Sequence, residues 1–165
     1  MRLKRWSIAV GYWLLAVLAT TLVGSIVQTQ FNLAQLASLG QPVDIGLRLH
    51  TTWLDLLRFA PPFAAIVAVG FLIALPLASW LARRGAGRGW LHPLAAAVAL
   101  LVALLLMRWL VGLTPIAAAR GPLGMTALVL SGAFGGWVWG RGIGRTSQAR
   151  PLLRRARRSH QTCRK

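Results

Sequence analysis

The sequence predicts an all-α integral membrane protein, a bundle of four transmembrane helices with a short membrane-hugging extracytoplasmic segment. Three observations carry that expectation. Of the 165 residues, 56% are hydrophobic and only 13% charged, against roughly a quarter charged in a soluble domain. The mean hydropathy of +0.62 comes from long apolar runs rather than from an even spread. The 19 basic residues face only Asp44 and Asp55, for a formal net charge of +17, and they cluster between the runs. These features exclude an ordinary soluble enzyme.

A helix needs about 20 apolar residues to cross roughly 30 Å of hydrocarbon, and four runs qualify. The first extends from Ile8 to Val27 without a charge, with Thr20, Thr21 and Ser25 as its aliphatic hydroxyls. The second, from Phe63 to Leu81, contains Pro76, a residue that removes an amide donor and bends a helix. The third, Leu91 to Leu113, holds Arg108, and Thr114-Pro115 ends it. The fourth runs from Leu123 to Gly140. This divides the chain into a membrane domain, 1–140, and a basic tail, 141–165, whose composition predicts disorder when free.

Lys and Arg beside span ends are retained on the cytoplasmic side. Arg2, Lys4 and Arg5 precede the first span, Arg83, Arg84 and Arg88 lie between the second and third, and nine more follow the fourth. Both termini are therefore expected in the cytoplasm. Trp6, Trp80, Trp90, Trp109 and Trp139 fall near span ends, as in an aromatic belt. A signal-peptide core has about 7 to 15 apolar residues, so the longer first run reads as an uncleaved anchor. The preference for Arg over Lys, with abundant Ala, Leu and Gly, points to a GC-rich bacterium and its inner membrane. Cys163, the single cysteine, permits no intrachain disulfide.

The extracytoplasmic segment spans residues 28–62. Phe31 to Leu39 reads as a short surface helix, and Gly40-Gln41-Pro42 as a turn. From Val43 to His50, apolar residues alternate with polar or small ones, the period of a half-buried strand. Thr52 with Asp55 three places later matches a capping box opening a second short helix, and Pro61-Pro62 suits the first turn of the second span.

Asp55, His50, Arg108 and Arg58, with Asp44 and Arg48 nearby, are the candidates for an outer polar cluster. The functional reading gives Asp55 and His50 to a proton or cation and Arg108 to an anion. The plainer reading makes Asp55 a helix cap, sets Arg48 on a solvated strand face and lets Arg108 snorkel. No metal-ligand spacing, nucleophile elbow or phosphate loop is present, and no cofactor is expected. None of the four spans contains an acid, which removes the usual carriers of proton-coupled transport.

Gly132, Gly136, Gly140 and Gly144 recur at every fourth residue, forming a small-residue face on which backbones approach closely. That face packs either within the bundle or against a partner subunit. Arg154, Arg155, Arg157 and Arg158 in the tail suit anionic lipid, and the tail has no aromatic residue for stacking nucleic-acid bases. The expected partners are therefore membrane lipids and another membrane subunit or a second copy. The expected function is that of a non-catalytic accessory or scaffold subunit of a bacterial inner-membrane complex. The alternatives are a small homo-oligomeric transporter or channel and, behind it, a lipid-modifying enzyme.

Overall fold

The structure is a computed structural model that describes residues 2–84, 89–111 and 116–162, and the side chains of 6–84, 89–110, 116, 118–119 and 121–144. Its elements in order are α1 (Arg2–Ser38), α2 (Ile45–Arg58), α3 (Ala60–Ala82), α4 (Leu91–Val111), a 3-10 turn (Ala117–Arg120) and α5 (Pro122–Thr162). Four stretches are long and apolar enough to cross a membrane: Trp6–Ser38, Ala60–Ala82, Leu91–Leu110 and Pro122–Gly144. The predicted all-helical, four-span architecture is thus observed.

The four long helices form a ring in which α1 packs on α3 and α5, and α4 packs on the same two. Each contributes an inward stripe at helical spacing. On α3 it is Phe63, Val67, Phe71 and Leu75, on α4 Ala96, Leu100 and Leu104, and on α5 Leu128, Ser131 and Trp139, all buried. The remaining faces are covered with exposed Leu, Val, Ile and Trp, the pattern of a bundle whose outer solvent is lipid. The groove between α3 and α4, lined by Ile66, Val67, Gly70, Phe71, Ala99, Leu100 and Ala103, has no room for a water.

The expected surface helix at 31–39 does not exist as a separate element, because no Gly or Pro interrupts the chain between Ser25 and Ser38 and α1 continues through it. Leu33 is buried in this extension. At about 1.5 Å per residue, the 37 residues of α1 exceed the roughly 30 Å of hydrocarbon, so its last turns reach past the apolar slab beside α2. A Schellman motif ends the helix: Gln41 N donates to Leu36 O at 3.3 Å and Gly40 N to Ala37 O at 3.1 Å. Gly40 takes φ +80°, the left-handed conformation that a glycine adopts without strain.

The predicted strand at 43–50 is also corrected. Asp44 has extended backbone and caps α2, its carboxylate accepting from Leu47 N at 2.9 Å, and helix follows at once. The alternation misled because α2 buries none of its residues; with no core face to obey, a short two-residue period is accidental. A lone strand would also have left its backbone groups unpaired, whereas a helix satisfies its own. The capping box at Thr52 is not a cap either. Thr52 lies inside α2 and donates to Arg48 O at 2.7 Å.

Arg58 closes α2, and after Phe59 the prolines at 61 and 62 open α3 as expected. They supply no amide, and Phe63 N bonds back to Phe59 O at 3.2 Å. The rings of Phe59 and Phe63 stack with centroids 5.2 Å apart. At the other end of the chain α5 runs from Pro122 to Thr162. Arg, Gln, Leu and Ala in that stretch favour helix. Thr114, Pro115 and Cys163 lie outside the described residues.

Candidate functional site

The polar groups of the segment between α1 and α3 do not converge on one cleft. Asp55 is half-buried and turned onto α1, where Thr29 Oγ1 donates to its Oδ2 at 2.8 Å. Thr29 is fully buried, and its hydroxyl also lies 3.0 Å from Ser25 O. Seven residues earlier on α2, about two turns away, Arg48 Nη1 donates to Gln30 Oε1 at 3.1 Å. Asp55 and Arg48 are therefore struts between α1 and α2, and Asp55 has no capping role.

His50 lies five residues before Asp55, about 140° around the helix, and is exposed. Arg58 is exposed at the end of α2, and Arg108 is exposed on α4, a helix that packs on α3 and α5. No ion pair joins Asp55, His50, Arg58 or Arg108 among the described residues. The acid–base pair that a catalytic or proton-carrying reading needs is not assembled.

The glycine face of α5 is occupied from within. A Cβ at Gly132 would come within 3.1 Å of Ala96 O and Leu100, one at Gly136 within 2.6 Å of the Ala96 side chain, and one at Gly140 within 3.4 Å of His92. Only Gly144 meets nothing within 4 Å. These glycines bring α4 close, which is the packing alternative read from the sequence. Gly135, on the adjoining face, does the same for α1, meeting Thr20 Oγ1 and Ala16 O. Tyr12 lies over Gly142, which brings the start of α1 alongside the later part of α5.

A polar hub that sequence reading passed over joins α3, α4 and α5. Ser79 Oγ donates to Leu75 O at 2.8 Å and accepts from Trp139 Nε1 at 3.3 Å. His92 Nε2 is 3.2 Å from the same oxygen, and with that nitrogen protonated the hydroxyl is fully engaged. The arrangement braces three helices against one another, with the serine hydroxyl donating to a backbone carbonyl. It also corrects one member of the aromatic belt. Trp139 is buried, whereas Trp6, Trp80, Trp90 and Trp109 are exposed.

The ring at belt level on α5 is Trp137. Arg141 sits over it at 4.0 Å, and Arg84 sits over Trp80 at 4.1 Å, both in cation–π range.

Comparison with protein-family models, with curated proteins and with solved structures finds no match for this chain. Its site must be read from its own geometry. The side chains of Arg154, Arg155, Arg157 and Arg158, expected to touch anionic lipid, lie outside the described residues. No group of three or more His, Cys, Asp or Glu side chains able to hold a metal occurs among the described residues.

What sequence reasoning missed most is the buried polar line of α1. Thr20, Thr21, Ser25, Gln28 and Thr29 are all buried, and Gln28 Oε1 accepts from Ala118 N at 2.9 Å, holding the 3-10 turn against α1. The signal was present in the spacing of Thr21, Ser25 and Gln28, at steps of four and three, which places them on one helix face.

Proposed function

We propose that this chain is a non-catalytic, multi-pass accessory or scaffold subunit of a bacterial inner-membrane complex, and that its partner contact is α2. The exposure pattern of α2 carries the reading. Ile45, Leu49, Trp53 and Leu57, at four-residue steps, are 77, 70, 60 and 57% exposed. A helix held at the interface by lipid alone keeps its polar face toward water. Here Arg48 and Asp55 are committed to α1, and the apolar stripe points away from the bundle.

The occupant that fits is an apolar helix of another membrane subunit, read at i, i+4 and i+8 positions as in helix-in-groove recognition. The glycine face is a poorer candidate because α4 already fills it at Gly132, Gly136 and Gly140. A non-catalytic role is supported by the Ser79 hydroxyl, which donates to the Leu75 carbonyl, and by the divergence of His50 from Asp55.

For orientation, Trp6 of α1, Arg84 of α3 and Arg141 of α5 belong to one end of the antiparallel bundle. The guanidiniums stacked on Trp80 and Trp137 combine cations with aromatic anchors there, favouring that end, with both termini, as cytoplasmic. Arg154, Arg155, Arg157 and Arg158 on the same side would add attraction to anionic lipid.

The test is purification of a tagged chain from its native membrane in mild detergent, beside a Leu49→Ser, Trp53→Ser variant. A stoichiometric complex with the unaltered chain that is lost in the variant is the expected result. A chain that emerges alone, or an identical complex from both, would refute the reading.

A further inference from the structure

We propose that the bundle binds two anionic phospholipids at the end that carries Arg84 and Arg141, one on α3 and one on α5. Each phosphate is held by a guanidinium stacked on a tryptophan. This goes beyond the subunit contact on α2 and does not depend on it.

The two helices carry the same row of residues. On α3, Ile73, Leu77, Trp80 and Arg84 follow one another at steps of four, three and four, and on α5, Leu130, Phe134, Trp137 and Arg141 do so at the same steps. That spacing keeps each set on one helix face, and both faces point outward. Ile73, Leu77 and Trp80 are 67, 60 and 48% exposed, and Leu130, Phe134 and Trp137 are 67, 44 and 41% exposed. Arg84 lies 4.1 Å over the Trp80 ring and Arg141 4.0 Å over that of Trp137. In the antiparallel bundle α3 and α5 run the same way, and the hydrogen bond from Trp139 to Ser79 sets the two rows at one level. Arg84 is five residues beyond Ser79 and Arg141 two beyond Trp139, a difference of less than about one turn.

Stacking on the indole covers one face of the guanidinium and leaves its in-plane N–H donors, the fork that matches a phosphate. The chain offers these donors no carboxylate side chain. Its only acids, Asp44 and Asp55, belong to the segment at the opposite end, where they bond to Leu47 N and Thr29. The anion must therefore come from outside, and beside a membrane span the abundant one is the headgroup of an acidic lipid.

Length favours a lipid over a partner helix. From Arg84 to Ile73, and from Arg141 to Leu130, each row rises about 16 Å at roughly 1.5 Å per residue, close to half of the roughly 30 Å of hydrocarbon. Each row thus matches one leaflet, with the guanidinium at the phosphate, the indole at the interface where tryptophan is enriched, and two apolar side chains along the acyl chains. Arg58 and Arg108, exposed at the other end, have no ring stacked beneath them among the described residues.

Native mass spectrometry of the full chain in detergent, titrated with phosphatidylglycerol and separately with phosphatidylcholine, gives an affinity for each successive lipid. The unaltered chain should prefer phosphatidylglycerol, and Arg84→Gln, Arg141→Gln should weaken its first two binding steps about fivefold, the factor expected for one cation beside an anionic headgroup. Arg58→Gln, Arg108→Gln removes the same charge from positions without a ring and should leave both steps as they are. The arginines from 154 to 158 are present in every variant, so their contribution cancels. Equal affinity of the unaltered chain for the two lipids would overturn the proposal, as would an undiminished preference after Arg84→Gln, Arg141→Gln or an equal loss after Arg58→Gln, Arg108→Gln. Should the double variant not fold, Arg84→Gln and Arg141→Gln are made singly. Each should weaken one binding step, and unchanged affinities in both would overturn the proposal.

Discussion

Thr29 Oγ1 and Asp55 Oδ2, 2.8 Å apart, tie the end of the first membrane helix to the short helix that leads into the second. The bond joins residues 26 positions apart in sequence, and it fixes which face of α2 turns outward. Thr29→Val should loosen α2 by about 1 kcal/mol, seen as faster proteolysis between Leu39 and Asp44, while Thr29→Ser should behave as the unaltered chain does.

The cap at Asp44 makes a second, independent claim on the same segment. Its carboxylate meets Leu47 N at 2.9 Å, so Asp44→Ala should cost about 1 kcal/mol of α2 stability and Asp44→Ser much less. Amide exchange at Gly46 and Leu47 is the direct readout. If the segment were a strand from Val43, the substitution would leave those amides unchanged.

Gly136 is packed against the His92 carbonyl and the Ala96 side chain. Gly136→Leu should therefore separate α4 from α5 and destabilise the bundle by about 1–3 kcal/mol or more, whereas Gly144→Leu, with nothing within 4 Å, should be tolerated. Denaturation in detergent micelles distinguishes them. Equal stability of the two variants would place the close contact elsewhere.

Ser79→Ala would leave the Trp139 indole donor without its acceptor and remove a neighbour of His92 Nε2. The expected cost is about 1–3 kcal/mol, with a shift in the fluorescence of the buried indole. Ser79→Ala with unaltered stability and emission would argue that the hub carries no load.

The four spans were legible because hydropathy over twenty residues averages away local accidents. The glycine spacing of α5 likewise foretold a close helix contact, though it could not say which helix would fill it. The helix expected from Thr52 onward is there, as part of α2, but Val43 to His50 was misread as a strand because over a few residues an alternating pattern does not distinguish the two, and the feature that decides, whether any face is buried, is a tertiary fact. Ser79, His92 and Trp139 were invisible as a group because their link depends on how three helices rotate about their axes. The hydroxyls of α1 were visible as residues, but only the bundle reveals that they are buried together.

The outward stripe of α2 is the feature on which the proposed function rests. Its most direct test is a photoreactive residue introduced singly at Leu49 or Trp53 in the native membrane, with Leu72 and Ile73 of α3, 63 and 67% exposed, as lipid-facing controls. A protein adduct of one defined mass from positions 49 and 53, missing from 72 and 73, is the expected result. Lipid adducts alone, or the same products from all four positions, would contradict a subunit contact on α2.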